Sequence, residues 1–168
     1  YESAVYEGYG PAGVAIIVET LADNKNRAVS EVRHAFTKRG GNLGERGAVS
    51  WMFAQKGLIE VEAADVSEED VMLAIMDAGG EDIQNSEGVY EVVCPVESFD
   101  AVKRGLDEAE MKYSQATLAW IPQNLLEVEG SDIEKVLKLL EDLEDLDDVQ
   151  KVFSNFDAKE EELAKLMA

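Results

Sequence analysis

The chain has 168 residues, with 15 lysines and arginines against 36 aspartates and glutamates, a formal charge of −21. A charge of that size repels phosphate backbones and anionic bilayers, which argues against a sprawling, non-specific polyanion binder and against a membrane-surface partner. A hydrophobic fraction of 46% belongs to a folded chain, and the length allows one large domain or two small ones.

Cys94 is the single cysteine, so no intrachain disulfide can form. No apolar run approaches the ~20 residues of a membrane-spanning helix, and no basic-then-apolar segment opens the sequence. The first residue is Tyr1 and not Met, which raises the expectation of a processed or trimmed chain.

Gly8, Gly10, Pro11 and Gly13 read as a turn-rich entry, and the β-branched run 14–18 as a buried strand. Tyr1, Tyr6 and Tyr9 among these glycines suit either a docked linker or base-stacking residues. Asp23 and Asn24 start a helix over about 25–39, which Gly40-Gly41 ends. Alternation of Val49, Trp51 and Phe53 with Ser50 and Met52 predicts a half-buried strand, giving an opening β-α-β unit.

Gln55-Lys56-Gly57 reads as a turn before a strand over 58–62. Ser67-Glu68-Glu69-Asp70 is a capping box whose helix carries Val71, Met72, Ile75 and Met76 inward. Strands near 82–86 and 89–94 meet at Gly88, Ser98 caps a helix with Phe99, Val102 and Leu106, and 114–121 is a strand closed by Pro122. A strand over 125–129 and a second capping box, Ser131 to Glu134, introduce a helix with Ile133, Val136, Leu137, Leu140 and Leu143 inward. A last strand at 149–155 and a short helical tail close the chain.

The expected fold class is α+β: two ferredoxin-like βαββαβ modules, one inserted in the other. The outer module takes residues 1–56 plus 123–168 and the inserted one residues 57–122. Two sequential halves sharing one sheet is the alternative.

No HExxH, CxxC, Walker A or GxGxxG pattern is present. Cys94 lies in a β-branched strand and suits a small buried hydrophobe better than a nucleophile. Carboxylate pairs abound, but with 36 acids any pair arises by chance, so none selects a metal site or a two-acid hydrolase.

The positive charge is localised. Residues 24–46 hold six basic residues (Lys25, Arg27, Arg33, Lys38, Arg39, Arg46) and two acidic ones, a net +4, while the rest of the chain is −25. Such asymmetry points to a localised anionic partner. At about 100° per residue, Arg27, His34 and Lys38 share one stripe opposite an apolar face made by Ala28, Val29, Val32, Ala35 and Phe36. The following loop, Gly40, Gly41, Asn42, Leu43, Gly44, Glu45, Arg46, Gly47, has the glycines and free N–H groups to hold a phosphate beside Arg39 and Arg46. The plainer alternative is a solvated helix face with an Arg27–Glu31 pair, followed by an ordinary connection.

The runs Tyr6-Glu7-Gly8-Tyr9-Gly10-Pro11, Asp23-Asn24-Lys25-Asn26-Arg27, Glu31-Val32-Arg33-His34-Ala35-Phe36, Gly40-Gly41-Asn42-Leu43-Gly44 and Val49-Ser50-Trp51-Met52-Phe53 closely resemble the bacterial YebC family. Its mitochondrial member is a translational activator of cytochrome c oxidase subunit I. The match is dense over residues 6–60 and looser beyond, including Tyr113 and Trp120-Ile121-Pro122.

The resemblance implies three domains, of which an N-terminal helical, basic one is not in this chain. It implies no catalysis. Some members are described as DNA-binding transcriptional regulators, others as ribosome-associated factors that ease synthesis of proline-rich stretches. The family's basic segment falls on Lys25, Arg27, Arg33, His34 and Lys38, and its glycine loop on Gly40, Gly41, Asn42 and Gly44. Arg39 departs from the pattern, where many members are expected to differ.

The expected function is therefore a non-enzymatic regulator of gene expression of the ribosome-associated, translational-activator type, needing no cofactor or metal. Ribosomal RNA is favoured over DNA as the partner, and Arg39 and Arg46 extend the nucleic-acid-binding set. A DNA-binding transcriptional regulator is the alternative, and an acidic protein-interaction module a second. The expected compartment is the bacterial cytoplasm, or the mitochondrion in a eukaryote.

Overall fold

A computed structural model describes residues 1–64 and 66–168. The elements in chain order are β1 (Glu2–Tyr9), β2 (Ala15–Ala22), α1 (Lys25–Lys38), β3 (Asn42–Leu43), β4 (Phe53–Glu62), α2 (Glu68–Ile75), β5 (Asp82–Ser86) and β6 (Val89–Pro95). There follow α3 (Phe99–Glu108), β7 (Tyr113–Pro122), β8 (Leu126–Glu127), α4 (Ser131–Glu144), β9 (Val149–Ser154), β10 (Phe156–Asp157) and α5 (Glu160–Met167). The chain divides into two compact units, Gln55–Trp120 and the two flanking segments Tyr1–Ala54 with Ile121–Ala168. The fold class is α+β, with two ferredoxin-like modules each built on a four-stranded antiparallel sheet.

The unit Gln55–Trp120 has strand order β5-β6-β4-β7, the arrangement of a ferredoxin-like βαββαβ module. Its local signals are strong. Ser67 and Asp70 form the reciprocal capping box that starts α2. The β5–β6 hairpin turns through Glu87 (φ 47°) and Gly88 (φ 86°), the left-handed pair that a two-residue hairpin needs. Val71 and Ile75 of α2 pack with Ile59, Val61, Val92, Val102 and Leu106. Met72 and Met76 lie on the exposed side instead of inward, since an eight-residue helix buries only its i, i+4 pair. The sequence 53–62 forms one unbroken strand through the expected turn at Gly57. A side chain at Gly57 would strike Phe99 and Cys94, so this glycine serves close packing. Ser98 makes no side-chain cap on α3.

The flanking unit reaches the same architecture by a different supply of strands. Its sheet has the order β3-β1-β2-β9, with α1 and α4 packed on one face. The residues ahead of the glycine turn form strand β1, paired over its whole length with β2, and the turn itself is the 3-10 segment Pro11–Gly13. Residues 125–129 do not join this sheet: β8 is two residues long and pairs in parallel with β10. β1 takes the central position that residues 125–129 were expected to fill. Val49 to Met52 is no strand either; a 3-10 turn spans Ser50–Met52 and leaves Trp51 69% exposed.

Asn24 caps α1 by accepting the Arg27 N–H at 3.0 Å. At the other end Gly40 (φ 82°) takes the left-handed position, and the Gly40 and Gly41 N–H groups return to Thr37 and Phe36 carbonyls, a Schellman stop. Gly130 (φ 62°) is the N-cap residue of α4, so the expected capping box at Ser131 does not form. The buried ridge of α4 is Ile133, Val136, Leu139 and Leu143; Leu137, about 100° round from Val136, points outward. These residues meet Val14, Ile16, Val18, Val32 and Phe36 in one core.

Gly40 and Gly41 therefore differ in role. Gly40 needs a left-handed backbone with open space around it, whereas a methyl group on Gly41 would collide with the Tyr9 carbonyl. Gly40→Ala is expected to cost about 1–2 kcal/mol from backbone strain alone. Gly41→Ala, at an overpacked backbone contact, should cost roughly 2–3 kcal/mol. Urea unfolding of the two variants checks the order.

Candidate nucleic-acid interface

The glycine loop was expected to offer free N–H groups to a phosphate. In the structure a carboxylate of the chain itself occupies that role. Glu7 is only 5% exposed and lies on the sheet face away from α1 and α4, paired in register with the fully buried Ile17. Its carboxylate accepts N–H bonds from Gly47 (2.7 Å), Val49 (3.0 Å) and Ser50 (2.6 Å). Its main-chain carbonyl accepts the Gly44 N–H at 2.8 Å.

Burial pushes the Glu7 carboxyl up, but the backbone donors of Gly47, Val49 and Ser50 together outweigh it and hold it below its ordinary value. The loop is thus an internal anion site, pinned across β1, with Val49 fully buried beneath it. The Tyr9 hydroxyl adds a bond to the Ala48 carbonyl at 3.2 Å, and the Trp51 Nε1–H donates to the same carbonyl at 3.1 Å.

The cations of the sequence divide into three groups. Arg27 is held by Asp23 (2.7 Å) and Asp148 (3.1 Å), not by Glu31. Arg39 donates from Nε to Asp142 at 2.6 Å. Both guanidiniums are thereby offset by local acids. His34 and Lys38 face a groove of about 320 Å³ that also carries Glu31, Asp142, Asp145 and Asp147. That stripe of α1 meets carboxylates, because the C-terminal half of α4 and the turn after it lie alongside.

The third group is Lys25, Arg33 and Arg46, all exposed and without an ion pair among the described residues. Lys25 and Arg46 flank a groove of about 520 Å³ along the edge of β1, lined also by Ser3, Ala4, Val5, Tyr6, Glu7 and Gly44. β3 covers that edge only at Gly8 and Tyr9. Arg33 follows Lys25 two turns along α1, on the flank away from Arg27, His34 and Lys38.

Gly40, Gly41, Asn42 and Gly44 serve the structure: helix stop, close approach to Tyr9, strand pairing and the bond to Glu7. The Tyr6 hydroxyl is buried without a hydrogen-bond partner among the described residues.

Other chemistry is sparse. Cys94 is fully buried, and burial, the largest cause, raises its thiol above the ordinary value, which disfavours the thiolate. Among the described residues no three His, Cys, Asp or Glu groups are placed to hold a metal ion, and no helix is long and apolar enough to cross a membrane.

Glu7 and Trp51 are the residues that sequence reasoning missed. One acid among 36 carries no signal, and the alternation around Trp51 imitates a strand.

Fold and surface together define an α+β protein of two modules, with Lys25 and Arg46 exposed beside one groove. The family model for the second and third domains of TACO1/YebC matches residues 1–156, and the chain belongs to that family. It is 51% identical, over 99% of its length and 67% of the relative's, to a protein of Dictyoglomus turgidum named a probable transcriptional regulatory protein. It is 46% identical to one of the same name from Desulfosudis oleivorans, covering 92% of this chain and 63% of that one. A crystal structure of a conserved hypothetical protein from Aquifex aeolicus superposes with a TM-score of 0.87 at 44% identity, covering 95% of this chain and 66% of that one. The chain spans about two thirds of the length of these relatives.

Replacing the Glu7 carboxylate tests the internal anion site. Glu7→Gln leaves an acceptor but removes the charge and sets an amide against N–H donors. It is expected to cost about 2–3 kcal/mol, the range for buried hydrogen bonds to a charged group. The native carboxyl is depressed, so its contribution is present above the unfolded-state value and is lost as pH falls through the folded value. The gap in denaturant stability between parent and Glu7→Gln should therefore be full at neutral pH and close on acidification below the usual carboxylate range.

Proposed function

We propose that this protein is a non-enzymatic regulator of gene expression that touches nucleic acid through Lys25, Arg33 and Arg46, in the manner of a ribosome-associated translation factor. The observation that carries the reading is the distribution of charge. In a chain of net charge −21, three cations of residues 24–46 make no ion pair among the described residues, and two of them, Lys25 and Arg46, flank the groove along β1. His34 and Lys38 contribute less, since carboxylates of α4 share their groove. Arg27 and Arg39 orient structure through their ion pairs.

An acidic body with a small cationic face is penalised when it lies along a duplex, where phosphates pass its whole length. The penalty is smaller when the face docks at one point of a folded RNA–protein assembly. This favours ribosomal RNA. The name carried by the relatives, probable transcriptional regulatory protein, supports duplex DNA as the second reading.

Binding of the protein to ribosomes and to duplex DNA across a salt series separates them. Ribosome binding should be tighter, with a shallow salt dependence of about three counterions, from roughly 0.7–0.9 per phosphate contact. Replacing Lys25, Arg33 and Arg46 with Glu should weaken it at least tenfold and flatten the slope. Reversing Arg27 and Arg39 should act on stability first. Equal or tighter duplex binding would favour the DNA reading, and no change on reversing the three free cations would remove this face.

A further inference from the structure

The same loop that carries Arg46 ends in Trp51, whose indole is 69% exposed. A tryptophan exposed to this degree presents a broad aromatic face to solvent. The ring is not loose. Its Nε1–H is tied to the Ala48 carbonyl, and the turn that carries it continues from the three N–H groups fixed on Glu7.

Trp51 forms one wall of a cavity of about 260 Å³, whose other walls include Met52, Gln123, Asn124 and Leu125. The backbone joins these walls through the Gln123 N–H, which donates to the Met52 carbonyl at 2.9 Å. Gln123 and Asn124 are exposed, and their amide groups have no hydrogen-bond partner among the described residues. Asn155, at the back, is already committed: its Oδ1 accepts the Ala15 N–H.

We infer that this cavity receives one unstacked nucleobase, laid on the Trp51 indole with its edge read by Gln123 and Asn124. Three observations select this occupant. The pocket is lined by no carboxylate in a protein with 36 acids, so a base carried on a phosphate chain approaches it without repulsion. Arg46 lies five residues upstream on the same loop, an exposed cation with no ion pair among the described residues. An aromatic face beside paired amide donors and acceptors is the chemistry that recognises a splayed base: the face takes any base, and the amides match a particular edge. The inference rests on the nucleic-acid reading above and narrows it to single-stranded or looped nucleotides.

The test compares short single-stranded oligoadenylate and oligouridylate with an abasic phosphodiester chain of the same length and charge, using tryptophan fluorescence and affinity. The base-bearing chains are expected to quench Trp51 and to bind more tightly than the abasic chain. Trp51→Ala should weaken the base-bearing chains roughly 5- to 100-fold, the range for loss of one aromatic stack, with the salt slope unchanged. Trp51→Phe should restore most of the loss. Gln123→Leu with Asn124→Leu should erase any difference between the two bases. Far-ultraviolet circular dichroism confirms that the variants fold. If abasic and base-bearing chains bind alike, or Trp51→Ala binds like the parent, the base site is wrong while the phosphate face stands. If none of the chains binds and none docks with ribosomes, both readings fall.

Discussion

The loop over the sheet of the flanking module depends on one buried carboxylate. Glu7 sits in mid-strand, on a sheet face that would otherwise be bare, and gathers three N–H groups from a segment that has no regular structure of its own. A loop from 44 to 52 would ordinarily fray into solvent. Here it is closed over the sheet, with Val49 packed beneath it and Tyr9 holding Ala48. The energetic logic is that of a buried charge made favourable by complete hydrogen bonding. The depressed carboxyl is the sign that the bonds outweigh the burial.

This arrangement alters the meaning of the glycine-rich segment. The N–H groups of Gly40, Gly41, Gly44 and Gly47 bond internally. The loop acts as a bracket that sets Arg46 at one end and Trp51 at the other. Charge on α1 is sorted in a similar way. Where α4 runs alongside, acids meet Arg27, Arg39, His34 and Lys38. On the opposite flank Lys25 and Arg33 make no ion pair among the described residues, and the carboxylate that shares the groove of Lys25 is Glu7, bound to N–H groups of the loop. The proposed face is smaller than the +4 segment.

The inserted module was legible because its signals are local: a capping box, a left-handed hairpin pair, and apolar residues at fixed spacing around Ile59, Val71 and Val92. The flanking module was less so, because its sheet joins segments from both ends of the chain. β1 (ESAVYEGY) lacks a continuous apolar or strictly alternating pattern; it becomes a strand through pairing with β2 on one side and β3 on the other. Val49 to Phe53 alternates like a strand, yet its N–H groups at Val49 and Ser50 are taken by Glu7, which bends the segment into a turn. The charge map survived translation into three dimensions in part. Periodicity placed Arg27, His34 and Lys38 on one stripe, but only tertiary packing could show that Asp148 pairs with Arg27 and that Asp142, Asp145 and Asp147 share the groove of His34 and Lys38.

The most direct test of the account is ultraviolet crosslinking of the protein to its cellular nucleic acid, with the attachment point mapped by mass spectrometry. The account predicts an RNA nucleotide attached within residues 44–52, at Trp51 or beside it, and loss of that adduct in Glu7→Gln, whose loop is released. An adduct confined to α4, or one on α1 and the loop that carries duplex DNA instead of RNA, would contradict it.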